Sequence, residues 1–392
     1  MPPPSLLYDT LLNRLQQAPW RDRRHLLTLA WRVMGRLSSG GIALSEWTPF
    51  VVGRALVAQS TERRFSRWLW NPRIDVLRLH AALLRQVLGD CPDRRLLVGL
   101  DTTVLWNEFC VVQRCLVYRG RTIPLAWKVW RHPSASGAFR DYRGVLGVVA
   151  RLLRGYAVVL LADRGFLPGE LLRWVGRTAG WHIRVRGKRS VGLFRWTGRG
   201  YGKLAWRLSP GEVRYYHGVY VTGARIPVHL AVGWEKGARE PWLIVSDEPT
   251  DAETLYEYGR RFTIEEGLLD DKSNGFPWES SKRRQAEVLQ RLCFVMAVAT
   301  LVLVCQGVAV VASGTRRQVN PPWFRGSSYA RIGWNWIRRA AARGEALIDR
   351  LALLTAHDPE PARASRRQVD RSRWMDDLPW RYIFLIPAPS MS

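Results

Sequence analysis

A chain of 392 residues with 60 Lys and Arg against 33 Asp and Glu carries a net charge of +27, and it is long enough for two or three domains around a large core. Such a surplus points to a polyanionic partner, because each cation set against a phosphate releases condensed counterions. The Cys residues contain no CxxC pair and the His residues no HExxH spacing, which excludes a disulfide scaffold and the common zinc motifs and fits a reducing cytoplasm.

The first 17 residues, MPPPSLLYDTLLNRLQQ, lack the basic-then-apolar order of a secretory signal. Residues 1–94 read as a helical domain, with apolar residues at helical spacing over 6–17, 24–37, 62–70 and 76–88 and Arg on the other faces. A basic helical bundle of this kind is a candidate DNA-binding module. From residue 95 the pattern changes to three strand-like runs, LLVGLDTTVLW, FCVVQRCLVYRG and TIPLAWKVW. A helix over 142–153, an apolar strand over 156–163, a helix over 168–177 and a strand over 181–187 follow. Three antiparallel strands and then a helix–strand–helix–strand alternation predict an α/β, ribonuclease-H-like catalytic domain over 95–340. Residues 189–248 interrupt it as a β-rich insertion with Trp196, Trp206, Trp234 and Trp242, each more naturally a core residue than a stacking surface. Residues 341–392 read as a C-terminal helix and a polar tail.

The stretch 292–312 is apolar and long enough to span a bilayer. Its flanks are basic on both sides, and it continues the amphipathic start SKRRQAEVLQRL, as a core helix of a large domain would.

Asp101 closes the first strand and Asp163 the fourth, and in a ribonuclease-H-like sheet these strands are neighbours. One such Asp alone is more readily a turn former than a ligand. Two on adjacent strands suit a hard cation, Mg²⁺ or Mn²⁺. Downstream, PTDAETLYEYGRRFTIEEGLLDDKS opens with a capping box of Thr250 and Glu253. On a continuous helix Tyr258, Arg261, Glu265 and Lys272 share one arc about 60° wide and about 21 Å long, with Glu266, Asp270 and Asp271 turned away. A phenol, a guanidinium, a carboxylate and an ammonium in a row suit phosphoryl transfer on DNA, whereas the plain alternative is a solvated face of ion pairs.

The spacing Tyr258-x2-Arg261-x3-Glu265-x6-Lys272 resembles in full the Y-x2-R-x3-E-x6-K signature of DDE transposases of the insertion-sequence-4 type. The resemblance extends over about 96–339, with VGLDTT around the first acid and LLADRGF around the second. It implies that Asp101, Asp163 and Glu265 are catalytic and bind two Mg²⁺ ions, with Mn²⁺ as a substitute. It also implies that Tyr258, Arg261 and Lys272 contact phosphates near the transposon end; Arg184, Arg186 and Lys188 are further candidates for DNA binding. The expected partners are terminal inverted repeats and target DNA, bound by a homodimer on paired ends in the cytoplasm with the nucleoid. The resemblance also places a core helix after the Glu265 helix, where 292–312 lies. Three other readings compete with this one. They are a catalytically inactive DNA-binding derivative, a basic membrane protein resting on 292–312 alone, and another ribonuclease-H-like nuclease such as a resolvase.

Overall fold

The computed structural model describes residues 5–52, 57–89, 95–119, 121–166, 169–188, 193–194, 208–221, 225–235, 238–262, 278–321, 327–348, 351–353 and 383–384. Five helices come first: α1 (Ser5–Leu15), α2 (Arg23–Ser39), α3 (Leu44–Trp47), α4 (Ala58–Trp70) and α5 (Val76–Leu88). Asp22 and Asp75 cap α2 and α5 by accepting backbone N–H groups from Arg24 and Arg78, as short acidic side chains do at orphan helix donors. Not every Arg of these helices faces water. Arg32 of α2 is fully buried, its guanidinium lying 4.7–5.6 Å from the ring centroids of Trp47, Phe65 and Trp68. Burial pulls this group well below the usual guanidinium range. A flat, weakly hydrated cation can stack between aromatic faces where an ammonium would not, so helical periodicity misplaces it.

Strands β1 (Arg95–Leu105), β2 (Phe109–Tyr118) and β3 (Arg121–Arg131) form an antiparallel meander. Helix α6 (Phe139–Leu152) leads to β4 (Ala157–Ala162), which pairs in parallel with β1. Helix α7 (Gly169–Trp174), continued by the π-turn Val175–Ala179, leads to β5 (His182–Arg186), parallel to β4. Five strands therefore run β3-β2-β1-β4-β5.

The β-rich segment does not stand apart from them. Strands β6 (Leu193–Phe194), β7 (Val213–Val221), β8 (Ile226–Gly233) and β9 (Trp242–Ser246) extend the same sheet, β9 bonding antiparallel to β5. With β10 (Ile383–Phe384) beside β7, the described residues make one ten-stranded mixed sheet in an α/β protein. Each residue's side follows from period-two alternation. Val98, Leu100, Val158, Leu160, Ile183, Val185, Leu243 and Val245 enter the main core, whereas Val213, Tyr215, Ala231, Trp242 and Ile244 form a second cluster on the opposite face under α8 (Ala252–Gly259).

The apolar stretch is helix α9 (Ala286–Ala312), nearly all of it inside the protein. It packs on β3, α2, α4, α5 and α10 (Tyr329–Arg343), so the N-terminal helices and the sheet share one core. Gln290 of α9 covers part of the β3 edge: Val129 N donates to its Oε1 at 2.9 Å, and its Nε2 donates to Trp127 O at 3.1 Å, removing bare strand groups that would otherwise invite pairing. Helix α10 ends at Arg343; beyond it residues 344–348 and 351–353 are not helical, and the rest of the expected C-terminal helix and tail, apart from β10, lies outside the described residues.

Helices α9 and α10 cross with their backbones in contact. A Cβ at Gly307 would lie 1.9 Å from Tyr329 O, and one at Gly333 would lie 1.9 Å from Leu303 O. Neither carbonyl belongs to a side chain that can swing aside. Gly333→Ala is expected to cost about 1–3 kcal/mol or more in urea unfolding, while Gly144→Ala, on α6 with no atom within 4 Å of the new Cβ, is expected to be neutral or mildly stabilising.

Candidate active site

Alternation decides what the α8 face of the sheet carries. Opposite the core-facing residues of β1 stand Arg95 and Asp101; opposite those of β5 stand His182, Arg184 and Arg186. Leu100 pairs with Ala162, so Asp101 and Asp163 come next on neighbouring parallel strands, which lie about 4.8 Å apart. The Asp101 carboxylate is 15 % exposed; its Oδ1 accepts from Thr102 N at 2.8 Å and its Oδ2 from Arg261 at 3.3 Å. Asp163 Oδ1 is buried and accepts no hydrogen bond among the described residues.

Helix α8 brings the other groups. Its N-cap is Asp251, which accepts from Thr254 N while the Thr254 hydroxyl accepts from Asp251 N. The capping box thus lies one residue beyond the Thr250–Glu253 pair expected from sequence. Thr250 is buried instead, with its hydroxyl donating to Leu230 O, and Asp is the better cap. The helix stops at Gly259, where Arg260 and Arg261 form a turn, so Tyr258 and Arg261 do not continue along one regular helix. They still meet, Arg261 Nε donating to Tyr258 Oη at 3.2 Å. Burial first, and the Asp163 carboxylate with it, push the Tyr258 phenol up to about 12 against the opposing pull of Arg261 and Arg186. Tyr258 therefore stays a neutral O–H donor near both acids. Trp242 closes the floor below, stacked on Phe262 at 5.5 Å and edge-on to Tyr258 at 5.4 Å.

Of the expected site residues, Asp101, Tyr258 and Arg261 come together here, with Asp163 next to Asp101 and Arg186 next to Asp163 by strand register. Glu265, Lys272, Glu266, Asp270, Asp271, Trp196 and Trp206 lie outside the described residues. Lys188 is exposed just past β5, and Trp234 is half-buried with its indole N–H on Ala238 O. Arg184 is held inside the fold. It is 4 % exposed and ion-paired to Glu257 at 2.9 Å and to Glu248 at 2.8 Å. Arg95 joins both carboxylates from β1, tying α8 to the sheet through four charged side chains. His182, Asp247 and Glu248 offer three ligand atoms within 4.8 Å of one another, but Glu248 already serves two guanidinium groups. Sequence spacing misses Arg95, Glu248 and Glu257; the same period-two count that pairs Asp101 with Asp163 would have placed Arg95 and Arg184 on their face.

No family model matches the chain, and no curated protein matches it. Among solved structures, it is similar to one described as the piggyBac transposase synaptic complex with hairpin DNA. That match has 10% identity over 95% of this chain and 90% of that one, with a TM-score of 0.38. A likeness of that size does not establish a shared fold.

The ion cluster should govern acid stability. Burial alone would raise the Glu248 carboxyl, but its hydrogen bonds from Arg95 and Arg184 outweigh that and hold it at about 2, against an ordinary 4.5. A depressed folded-state value adds stability that is complete above about 4.5 and is lost as pH falls toward 2. Unfolding midpoints in urea are expected to drop across that window in the native protein and to drop less in Glu248→Gln. Glu257→Gln, which strips a buried guanidinium of a charged partner, is expected to cost on the order of 3 kcal/mol at neutral pH.

Proposed function

We propose that this chain is a DDE transposase, a nuclease and polynucleotidyl transferase that cuts at transposon ends and joins them to target DNA. The observation that carries the reading is the placement of Asp101 and Asp163 after paired residues on adjacent parallel strands, beneath Tyr258 and Arg261. Supporting it are the strand order β3-β2-β1-β4-β5, which is that of a ribonuclease-H-like sheet, the full Y-x2-R-x3-E-x6-K spacing, and the charge of +27.

A divalent cation fits the donors present. The two Asp residues follow paired positions on adjacent strands, and Asp163 keeps a buried oxygen without a hydrogen-bond donor among the described residues, a costly state for an anion that a cation would relieve. Asp101, Asp163 and Glu265 would hold Mg²⁺, or Mn²⁺ in its place, and two such ions supply activation of an attacking hydroxyl and stabilisation of the leaving oxygen. The protein's own groups shape the site. Arg261 and Tyr258 are 3 % and 0 % exposed, so they brace the Asp101 carboxylate from inside the site, while Lys272 and Lys188 would add charge along the backbone. Trp242 and Phe262 hold Tyr258 in place, so this brace is set before substrate arrives. The protein would act as a dimer on paired terminal repeats, in the cytoplasm with the nucleoid.

Cleavage of linear DNA carrying the sequences that flank the protein's own gene, with Mg²⁺ or Mn²⁺, tests this. The native protein is expected to cut at the ends. Asp163→Asn and Glu265→Gln are expected to lose cutting by more than the roughly 10–100-fold that loss of an outer-shell partner costs, with DNA binding kept. Binding without cutting by the native protein would move the reading to a non-catalytic DNA-binding derivative. Equal cutting by native and substituted proteins would show that these acids are not the centre.

A further inference from the structure

Glu240 lies between β8 and β9, and one of its oxygens, Oε1, accepts from two guanidinium groups at once. Arg164, the residue after Asp163, reaches it at 3.1 Å, and Arg186, the last residue of β5, at 2.8 Å. Two forks from different elements thus converge on a single point beside Asp163. Carboxylate and phosphate oxygens are interchangeable ligands for such a pair, and a phosphodiester offers it two oxygens.

Exposure separates this pairing from Arg184–Glu257 on the same face; Arg95–Glu248 is as open, at 37 % and 27 %, but it stands at the start of β1, level with Ala157 and away from Asp163. Arg184 and Glu257 are 4 % and 7 % exposed and locked between strand and helix. Arg164, Glu240 and Arg186 are 49 %, 31 % and 14 % exposed. Ion pairs open to water contribute little and are readily exchanged, whereas a polyanion that releases its counterions gains on every contact. Ala162 pairs with Val185, so Arg186 follows on β5 where Asp163 follows on β4, and a phosphate held by this pair would sit next to Asp163.

We propose that Arg164 and Arg186 form a phosphodiester-binding subsite beside Asp163, and that Glu240 is its built-in occupant, displaced when a DNA backbone enters. The identity of the ligand rests on the DNA-cleaving reading above; the exchange itself needs neither metal nor cutting.

The test is binding of a labelled short duplex DNA without divalent cation, followed by fluorescence anisotropy over a salt series. Removing the occupant with Glu240→Gln is expected to tighten binding about 3- to 10-fold, as loss of one or two exposed ion pairs allows. The gain should vanish when Arg164→Gln and Arg186→Gln are also present. Arg164→Gln alone, a change at a half-exposed side chain that the core does not need, is expected to weaken binding and reduce the salt slope by about one. That variant decides the matter even if Glu240→Gln is poorly folded. Unchanged or weaker binding by a folded Glu240→Gln overturns the proposal. So does an equal gain without the two arginines, which would mark a mere change in net charge, or absence of DNA binding by the native protein. Because no cutting is read, native protein that binds DNA and never cleaves it would sink the transposase reading and leave this result standing.

Discussion

The Arg184 guanidinium is buried between β5 and α8, and burying it without an anion would cost several kcal/mol. Glu257 from the helix and Glu248 from the segment before it meet that need, and Arg95 from β1 completes the charge balance. Because Glu257 precedes Tyr258, anchoring that turn of α8 to β5 and β1 also sets where Tyr258 and the following Arg261 can reach. Arg261 reaches Asp101 and Tyr258 holds Arg261, with the Asp163 carboxylate acting on the Tyr258 phenol. One ionic cluster joining β1, β5 and α8 thus positions the groups around Asp101 on β1 and Asp163 just past β4.

The many arginines have at least three fates, and each follows from what surrounds the guanidinium. Arg32 lies among aromatic rings, with no carboxylate paired to it among the described residues, and holds helices together. Arg184 lies in a closed pair of carboxylates and fixes a helix to the sheet. Arg164 lies in an open pair that solvent and ligands can enter. Net charge counts all three alike, yet only the last kind is free to meet a phosphate at low cost.

The meander, the β4 and β5 strands and the helices between them are legible in the sequence, since alternating or continuous apolar runs with short connections leave few alternatives. The adjacency of Asp101 and Asp163 follows from that strand order. The joining of the β-rich segment to β5 was hidden because the edge that β9 binds is made of backbone groups, which no side-chain pattern reports. Local competition moved the α8 cap from Thr250 to Asp251: Thr250 found a carbonyl on β8, a contact between residues 20 apart. The burial of Arg184 was hidden for a related reason. Its position on β5 gives its face, but the helix that buries it arrives more than 60 residues later, with Glu248 and Glu257. The apolar helix α9 shows the same limit from the other side, since only the helices and strands around it distinguish a core helix from a membrane span.

The central claim is that Asp101 and Asp163 form one cation-binding centre. Electron paramagnetic resonance of Mn²⁺ titrated into the full chain tests it without any need for DNA or turnover. The free Mn²⁺ signal should be quenched by the native protein, and Asp101→Asn and Asp163→Asn should each restore most of it while leaving the fold unchanged by circular dichroism. Unquenched Mn²⁺ with the native protein, or equal quenching by both variants, would contradict the account.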